Sequence, residues 1–448
     1  MSKPSIPKGT RDFLPSDVVK RRYIFDTIET VFKKYGYLPI ETPVMENLST
    51  LTGKYGEEGD QLLFKVLNNG NYLKKADQQI LDNRDSRKLT SSISKRGLRY
   101  DLTVPFARYV VMHQNDLSFP FKRYAIEPVW RADRPQKGRY QEFYQCDVDV
   151  VGSTSLMYEA ELVKIYDEVF ETLGISVTIK INNRKILEGI AEVAGVKEQF
   201  STMAVAIDKL DKIGPDKVII EMTDKGFSDQ AAKSIMDALE LNSLSDIEQY
   251  LLSSDIGQEG VRELRSFHAY IDNVSLTNEL QLDVTLARGL SYYTGCILEV
   301  KANDVQMGSI GGGGRYDDLT SQFGLKNMPG VGISFGAERI YDVMIELGSF
   351  EEVILDLPKA IILSFDRESL IYSFECAQAL RNAGISIDVY PDAVKMNKQM
   401  KYANARNFSY AIIIGEQERE SKQMTVKNLS TGEQSSLSIH ETIDLLNA

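Results

Sequence analysis

The segment WRADRPQKGRYQEFYQCDVDV at residues 130–150 constrains the fold most, because it predicts two strands joined by a basic loop. Successive side chains of an extended chain alternate between the two faces of a sheet. One face of the second strand comprises Tyr144, Cys146, Val148 and Val150, and the other comprises Phe143, Gln145, Asp147 and Asp149. The first face is apolar and predicts a core. The second predicts the floor of a polar pocket, with a solvent-exposed surface as the alternative.

The loop between these strands is cationic. Arg131, Arg134, Lys137 and Arg139 are opposed only by Asp133. Guanidinium groups in such a loop are suited to binding phosphate. A run of solvated charges is the alternative interpretation.

Length and composition restrict the class of protein. A chain of 448 residues predicts about three domains. No apolar stretch reaches the roughly 20 residues of a membrane span, and the first ten residues lack the apolar core of a secretory signal, so we expect no membrane contact and a cytoplasmic location. Three cysteines and three histidines are scattered, so neither a disulfide framework nor a zinc site formed by Cys or His is expected. The net charge of −12 excludes indiscriminate nucleic-acid binding but permits a specific RNA ligand.

The N-terminal part predicts a helix, an edge strand and an insertion. Apolar residues at helical spacing predict a helix capped by Ser16 and ending at Gly36. Pro39 and Pro43 restrict the extended segment that follows to an edge or interface position. Residues 62–67 resemble a strand. Residues 68–97 are polar with little periodicity and indicate a mobile insertion or lid, or equally a disordered spacer.

Order returns in GLRYDLTVPFARYVV at residues 97–111. A strand ending at Asp101 and Thr103 precedes a helix that Thr103 can cap and Pro105 can enter in its first turn. At that strand end, Asp101 is placed where a carboxylate could receive a ligand ammonium.

The middle of the chain alternates between strand and helix signals. A helix at 156–173 and a strand at 176–181 are followed by helical segments from about 184 to 278, which indicate a helical domain inserted into a sheet. A strand resumes in ELQLDVT. The glycines of 311–314 lack the Gly-Lys-Ser/Thr of a phosphate-binding loop and more plausibly permit close backbone approach. GVGISF then predicts a buried strand that leads into the helix of GAERI. Arg339 lies near the positive end of that helix, which indicates either a bound anion or an arginine exposed on the helix surface.

The last ninety residues predict a separate module. Three apolar strands in KAIILSF, ISIDVY and YAIIIG, with helices at 369–382 and 395–406, indicate a parallel α/β unit. No acidic residue occurs between Ala393 and Gly415, and the cations of this stretch are Lys395, Lys398, Lys401 and Arg406. They form a local basic patch suited to an RNA backbone, with a solvated helix face as the alternative.

Several of these segments together resemble one enzyme family. Pro43 in an edge strand, the hairpin at 131–143 and the GAERI helix look like motifs 1, 2 and 3 of the class II aminoacyl-tRNA synthetases, in order. ARGLSYYTG at 287–295 and GGRYDDL at 313–319 look like the two signatures of the histidyl-tRNA synthetases. The C-terminal module resembles the anticodon-binding domain of class IIa synthetases.

This resemblance implies an α+β fold with an antiparallel class II catalytic sheet. Its parts would be a catalytic domain at 1–183 and 279–345, a helical insertion at 184–278 and an α/β anticodon-binding domain at 358–448. The implied reaction joins L-histidine to ATP as histidyl-adenylate and then transfers histidine to the 3′ end of tRNA(His). ATP with its Mg²⁺ and tRNA(His) would be substrates, and the chain would form a homodimer.

The resemblance also assigns residues to substrates. The ATP residues would be Arg131 on the α-phosphate, Asp133 and Phe143 at adenine, and Arg339 at adenine and the γ-phosphate. The histidine residues would be Asp101, Thr103 and Gln145 at the ammonium, Asp149 and Tyr293 at the imidazole, and Tyr292, Tyr316 and Arg288 nearby. Arg131 and Arg288 would act as the catalytic residues, Arg288 approaching the α-phosphate as the histidine carboxylate attacks. The tRNA contacts would be Arg134, Gln136, Lys137 and Arg139 at the acceptor end and Lys395, Lys398, Lys401 and Arg406 in the C-terminal module.

Three positions depart from the family pattern, and two other functions compete with this one. Asp133 replaces a usual Glu, Asp101 replaces the Glu of many bacterial members, and Ser291 replaces a usual Asp. A regulatory subunit of ATP phosphoribosyltransferase would share the catalytic fold, but typically lacks the C-terminal module. A class IIa synthetase for Gly, Pro or Thr would not explain RGLSYYTG or GGRYDDL.

Overall fold

The computed structural model describes residues 3–287, 293–351 and 358–447. These residues form two compact units, one ending at residue 351 and the other beginning at residue 358. Arg288 and Tyr292, to which the sequence assigns roles in the site, and Ser291 lie outside the described residues. Among the described helices, none is both long enough and apolar enough to cross a membrane.

The first unit combines helices with two sheets. Its helices are α1 Pro15–Lys34, α2 Leu48–Leu51, α3 Gly56–Leu62, α4 Gln78–Asp82, α5 Ser86–Ile93, α6 Thr103–Met112, α7 Met157–Thr172, α8 Arg184–Val193, α9 Phe200–Ile207, α10 Leu210–Ile213, α11 Pro215–Asp224, α12 Asp229–Leu239, α13 Leu244–Tyr250, α14 Asp255–Ile271 and α15 Ala337–Leu347. Its strands are β1 Leu38–Pro39, β2 Met45–Asn47, β3 Lys65–Val66, β4 Arg96–Leu98, β5 Phe121–Trp130, β6 Glu142–Val151, β7 Val177–Asn183, β8 Glu279–Leu282, β9 Cys296–Ala302, β10 Gly311–Arg315 and β11 Gly330–Gly336.

An eight-stranded sheet in the order β1-β5-β6-β11-β10-β9-β7-β8 forms the centre of this unit. Its central pairings are antiparallel, and only the edge strands β1 and β8 pair in parallel with their neighbours. The predicted hairpin is β5–β6, and the proline-containing segment supplies the edge strand β1, as its sequence indicates. The α+β class is therefore confirmed.

The apolar face of β6 is buried against helices. Cys146, Val148 and Val150 are at most 1% exposed and share a core with α1 and α7. Helix α1 begins one residue before the predicted cap, so Ser16 does not cap it. Pro15 is its first residue, and the Asp17 carboxylate accepts the Leu14 N–H at 3.3 Å. Proline is favoured at a first helical position because its missing N–H has no partner there.

Residues 68–97 are folded rather than forming a disordered spacer. They contain α4 and α5, whose N-terminal N–H groups are capped by the side chains of Asp77 and Asp85. The segment ends in β4, which lies between β2 and β3 in a small three-stranded sheet. Each capping bond stabilises its short helix by about 1 kcal/mol.

The segment 184–278 contains seven helices, α8 to α14, as its periodicity predicts. Buried residues of these helices, such as Ile186, Leu264 and Phe267, belong to the same hydrophobic core as the large sheet. The helices therefore extend that core outward from β7 and α7.

The second unit is an α/β module. Its helices are α16 Arg367–Asn382, α17 Met396–Ala405, α18 Glu416–Ser421 and α19 Ile439–Asn447, and its strands are β12 Ala360–Ser364, β13 Ile387–Val389, β14 Tyr410–Ile414, β15 Met424–Asn428 and β16 Gln434–Leu437. The three predicted strands pair in parallel, in the order β13-β12-β14. The antiparallel strands β15 and β16, which the sequence analysis missed, complete a mixed sheet.

Candidate active site

The two carboxylates on the polar face of β6 are buried. The alternative that this face is exposed to solvent is therefore wrong for Asp147 and Asp149. Asp147 and Asp149 are each 2% exposed. Asp149 lies opposite Arg123 of β5 and Gly332 of β11. A Cβ at position 332 would lie 1.9 Å from Asp149 Oδ1, so only glycine leaves room for this carboxylate over the sheet.

Both oxygens of Asp149 have partners. Arg123 Nη2 lies 2.6 Å from Oδ2, and the Tyr316 hydroxyl donates a short hydrogen bond to Oδ1. Tyr316 is itself buried, beside the strand β10. Arg123 and Tyr316 thus hold one oxygen each of the Asp149 carboxylate.

Asp101 is buried where β4 leads into α6. Its Oδ1 accepts hydrogen bonds from the Tyr55 hydroxyl at 2.9 Å and from the Val104 N–H at 3.1 Å. Asp101, rather than Thr103, therefore caps this helix, while Thr103 is its first, partly buried residue. Oδ2 of Asp101 is buried and has no hydrogen-bond partner among the described residues. Such an oxygen is costly to leave unpaired and is available to a ligand donor.

Arg131 links Gln145 of β6 to Tyr100, the residue before Asp101. Arg131 Nε donates to the Tyr100 carbonyl at 2.9 Å, and Nη2 donates to Gln145 Oε1 at 3.4 Å. The Gln145 amide donates to Ser334 Oγ at 3.0 Å and lies 3.5 Å from Asp147 Oδ1. The charged and polar groups joined in this way are called the sheet cluster, which comprises Asp101, Arg123, Arg131, Gln145, Asp147, Asp149 and Tyr316.

The electrostatics of the sheet cluster favour a cationic ligand. Burial raises the pKa of Asp101 and of Asp149, although Arg131 opposes the first shift and Arg123 the second. Burial also raises the pKa of Asp147 to about 7. Among the described residues of the sheet cluster, two guanidinium groups face three buried carboxylates, and this arrangement attracts an ammonium ligand.

The predicted adenine residues adjoin the sheet cluster. The Arg131 guanidinium lies 5.1 Å from the centre of the Phe143 ring and 4.4 Å from that of Tyr100. Phe143 is half-buried, which leaves part of its ring accessible for stacking. Asp133 is partly buried, and its carboxylate lies 3.6 Å from Arg139.

Arg339 is not an exposed surface arginine. It is partly buried, and it donates to the carbonyl of Gly138 in the hairpin loop at 2.7 Å and to the carbonyl of Ser309. Helix α15 is thereby connected to the loop that follows Arg131. Tyr293 is also partly buried and lies against Gly314, where a Cβ would meet its ring at 3.0 Å. The close approach expected of the glycine run thus occurs within the sheet.

The four hairpin residues predicted to contact tRNA are exposed, namely Arg134, Gln136, Lys137 and Arg139. Lys137 forms an ion pair with Glu346 of α15 at 2.6 Å. In the second unit, Lys395, Lys398, Lys401 and Arg406 are exposed on or beside α17, and Arg406 donates to the Tyr402 hydroxyl. Gln399, on the same helix, is fully buried and bonded to Ser364, which fixes the face that α17 presents to solvent.

Comparison with known proteins decides the family. The family model for histidyl-tRNA synthetase matches residues 9–340, and an anticodon binding domain matches 359–448. The chain is 55% identical over 443 residues to a histidine–tRNA ligase of Christiangramia forsetii, which covers 97% of each chain. It is 53% identical over 442 residues to that of Porphyromonas gingivalis, covering 98% of this chain and 97% of the relative.

The chain belongs to the histidyl-tRNA synthetase family.

Solved structures of this family share the fold. The histidyl-tRNA synthetase of a Nostoc species superposes with a TM-score of 0.83 at 30% identity, covering 100% of this chain and 99% of that one. A Bacillus halodurans protein titled as an ATP phosphoribosyltransferase regulatory subunit/histidyl-tRNA synthetase superposes with a TM-score of 0.74 at 21% identity, covering 93% of this chain and 100% of that one. The second likeness concerns the fold alone. The predicted resemblance to the synthetase family is confirmed.

Two residues that hold carboxylates of the sheet cluster in this synthetase, Arg123 and Tyr55, were not predicted from the sequence. Arg123 lies on β5 at the position directly opposite Asp149, and the same period-2 alternation that selected Asp149 would have placed it on the polar face. Tyr55 binds Asp101 across 46 positions of the chain, and nothing in the local sequence pattern indicates that contact.

Proposed function

We propose that the sheet cluster holds histidine and ATP in this chain, which is a histidine–tRNA ligase. The enzyme joins L-histidine and ATP to form histidyl-adenylate and pyrophosphate, and then transfers histidine to the 3′ end of tRNA(His). The observation that carries the assignment of the site is the buried, unpaired Oδ2 of Asp101 beside two further buried carboxylates.

The substrate ammonium binds at Asp101. Oδ2 of Asp101 accepts one ammonium N–H. Tyr55 and Val104 donate to Oδ1 of the same carboxylate and fix its orientation. Gln145 and Thr103 complete this end of the site. Because the ammonium carries a positive charge, it is attracted to the buried carboxylates of the sheet cluster.

The imidazole ring binds at Asp149, whose carboxylate accepts a ring N–H. Tyr316 and Arg123 hold that carboxylate in place, and Tyr293 and Tyr292 contribute to the same part of the site. An amino acid without the ring N–H would leave a buried carboxylate without its partner, which costs about 1–3 kcal/mol.

ATP, with the Mg²⁺ that accompanies its phosphates as part of the substrate, lies next to Arg131. This arginine approaches the α-phosphate, Phe143 stacks on adenine with Asp133 at the base edge, and Arg339 faces adenine and the γ-phosphate. Arg288, assigned from the sequence signature alone, approaches the same α-phosphate.

The chemistry needs alignment and charge rather than a nucleophilic side chain. The histidine carboxylate attacks the α-phosphorus of ATP, an O–P bond forms, and pyrophosphate leaves with the electrons of the bond that breaks. The guanidinium groups of Arg131 and Arg288 stabilise the charge on the phosphoryl oxygens. Preorganised contacts of this kind contribute about 3–4 kcal/mol each at the transition state.

Exposed cations bind the tRNA substrate. The hairpin residues Arg134, Gln136, Lys137 and Arg139 contact the acceptor end, and Lys395, Lys398, Lys401 and Arg406 contact the backbone in the anticodon region. The synthetase acts in the cytoplasm as a homodimer that forms through the edge-strand region containing Pro43.

Amino-acid-dependent exchange of pyrophosphate into ATP tests the proposed function. We expect exchange with L-histidine and background rates with glycine, proline and threonine, together with charging of tRNA(His). Asp101→Asn removes the negative charge that holds the ammonium, so the KM for histidine should rise by about 10- to 100-fold while the KM for ATP stays the same. An unchanged KM for histidine would contradict the assigned site.

A further inference from the structure

Arg123 is fully buried and lies across the strand pair from Asp149. Its side chain is 0% exposed, and the register of β5 and β6 places the two residues directly opposite each other. The 2.6 Å approach of Nη2 to Asp149 Oδ2 is a close ion pair rather than an aligned hydrogen bond. The guanidinium also lies 4.3 Å from the centre of the Phe106 ring.

Most of the hydrogen-bonding capacity of Arg123 is unused. Nε and Nη1 have no hydrogen-bond partner among the described residues, and Nη2, besides its ion pair with Asp149, donates to the Leu102 carbonyl at 3.5 Å. An underbonded buried guanidinium is costly to fold. A purely structural role is therefore a poor explanation for it.

Two other buried arginines show what structural roles look like. Arg99 donates to the carbonyls of Pro128 and Thr42 at 2.8 Å each and to Glu127 at 2.9 Å. Arg315 pairs with both carboxylate oxygens of Glu159 and donates to two further carbonyls. Both hold chain segments together through several aligned bonds. Arg123 instead places a positive charge beside one carboxylate.

That carboxylate is buried among groups that influence its ionisation. The titratable groups that face Asp149 from its own strand and from the elements around it are Arg123, Tyr316, Asp147, Asp101 and Tyr37. Arg123 is the one cation in this set. Burial raises the pKa of Asp149, and Arg123 is the largest influence that lowers it again.

We propose that Arg123 is a positioning residue for histidine recognition, holding Asp149 in its carboxylate form so that Asp149 accepts the N–H of a neutral imidazole ring. The inference rests on the proposed function of the sheet cluster. A protonated Asp149 would lose the negative charge that strengthens the hydrogen bond from the ring N–H. With Arg123 in place, the ring N–H meets an acceptor, and the charge of Arg123 disfavours a protonated imidazolium ring.

The test is the pH dependence of the KM for histidine in Arg123→Gln, which keeps an N–H donor but removes the charge. Between pH 7.0 and 8.5 the ring of free histidine is mainly neutral, and any titration of its amino group affects both enzymes equally and cancels in the ratio of their KM values. We expect the ratio of the variant's KM to that of the unmodified enzyme to fall by about 10-fold or more over this range, because Asp149 regains its charge as the pH rises. The KM for ATP should be unaffected.

Two variants separate this role from a structural one. Arg123→Lys keeps the charge, so its KM ratio should not depend on pH. Arg21→Gln removes another buried arginine, which pairs with Glu338 at 2.7 Å and does not contact Asp149. This variant should have a lower thermal midpoint but an unchanged pH dependence of the KM for histidine. If Arg123→Gln does not fold, Arg123→Met replaces it.

If the KM ratio of Arg123→Gln, or of Arg123→Met in its place, is the same at every pH or equal to one, the proposed role of Arg123 is wrong, and the proposed function of the enzyme is unaffected. Failure of the unmodified protein to exchange pyrophosphate with histidine would instead overturn the proposed function and this inference with it.

Discussion

The charged residues of the sheet cluster and those of helix α17 differ in burial and in pairing. Asp149 and Arg123 are almost completely buried and 2.6 Å apart. Lys395, Lys398 and Lys401 are exposed, and in the described part of the chain none lies within the 4.0 Å ion-pair distance of a carboxylate. The first set is held in one geometry before any ligand binds, whereas the second is solvated.

This difference indicates what each region can recognise. Buried charges act at low effective dielectric, so each contact is strong and depends on position. Exposed cations are screened by salt and act additively on a polyanion, whatever its sequence. The sheet cluster is therefore suited to one small substrate, and α17 to an RNA backbone.

The largest effect is expected at Arg131. Arg131→Ala removes a preorganised guanidinium at the proposed position of the α-phosphate, which should lower histidine-dependent pyrophosphate exchange by two to three orders of magnitude, or about 3–4 kcal/mol. The measurement is the exchange rate at saturating histidine and ATP.

The matched control is Arg265→Ala, which removes an exposed arginine that pairs with Glu248 on the helical insertion. Its exchange rate should match that of the unmodified enzyme. If Arg131→Ala also exchanges pyrophosphate within about threefold of the normal rate, preorganised charge does not distinguish the sheet cluster from the exposed charges of α17.

A smaller, salt-dependent effect is expected at α17. Replacing Lys395, Lys398 and Lys401 together by Gln should weaken tRNA(His) binding and reduce the slope of log affinity against log salt by about 2, since each phosphate contact contributes about 0.7–0.9. The affinity is measured at several salt concentrations. Pyrophosphate exchange without tRNA should be unchanged.

The control for this variant has the same change in charge at another exposed segment, with Lys74, Lys75 and Lys88 replaced by Gln. Equal losses of affinity in the two variants would show that total charge, and not the surface of α17, determines binding.

Local pattern predicted much of the fold but only part of the site. Period-2 alternation placed Gln145, Asp147 and Asp149 on one face because that face is fixed by the strand alone. Alternation also places Arg123 on the polar face of its strand, but its pairing with Asp149 depends on the register of the hairpin. The contact of Tyr55 with Asp101 spans 46 residues, and no local pattern determines it. Strands β15 and β16 were also not predicted, because both are short and β16 is largely polar and exposed, which leaves it little apolar periodicity.

The cap of α6 shows the same limit at a single residue. Thr103 has the residue type and position of a cap, yet Asp101 accepts the Val104 N–H, because the β4–α6 connection brings its carboxylate to the helix end. Residue type predicted that a cap exists, while backbone geometry decided which side chain supplies it.

The smallest effect expected is on stability, at Asp147. Burial raises the pKa of this carboxyl to about 7, against about 3.9 in an unfolded chain. Between those values the folded protein binds more protons than the unfolded chain, so the free energy of unfolding falls as the pH rises from 4 to 7. Asp147→Asn removes this dependence and should be more stable than the unmodified protein at pH 7.5 by on the order of 1 kcal/mol, but not at pH 5.

Thermal midpoints at the two pH values measure this effect, and the α17 lysine variant is the control, since its exposed charges should shift neither midpoint. A gain in Asp147→Asn of the same size at both pH values would contradict the assignment, because packing or hydrogen bonding, and not ionisation, would then be its cause. If the gain occurs only at pH 7.5, Asp147 is ionised in the empty site at a cost to the fold. The positive charge of the histidine ammonium would offset that cost on binding. No comparable cost exists at α17, where solvent already stabilises the exposed charges.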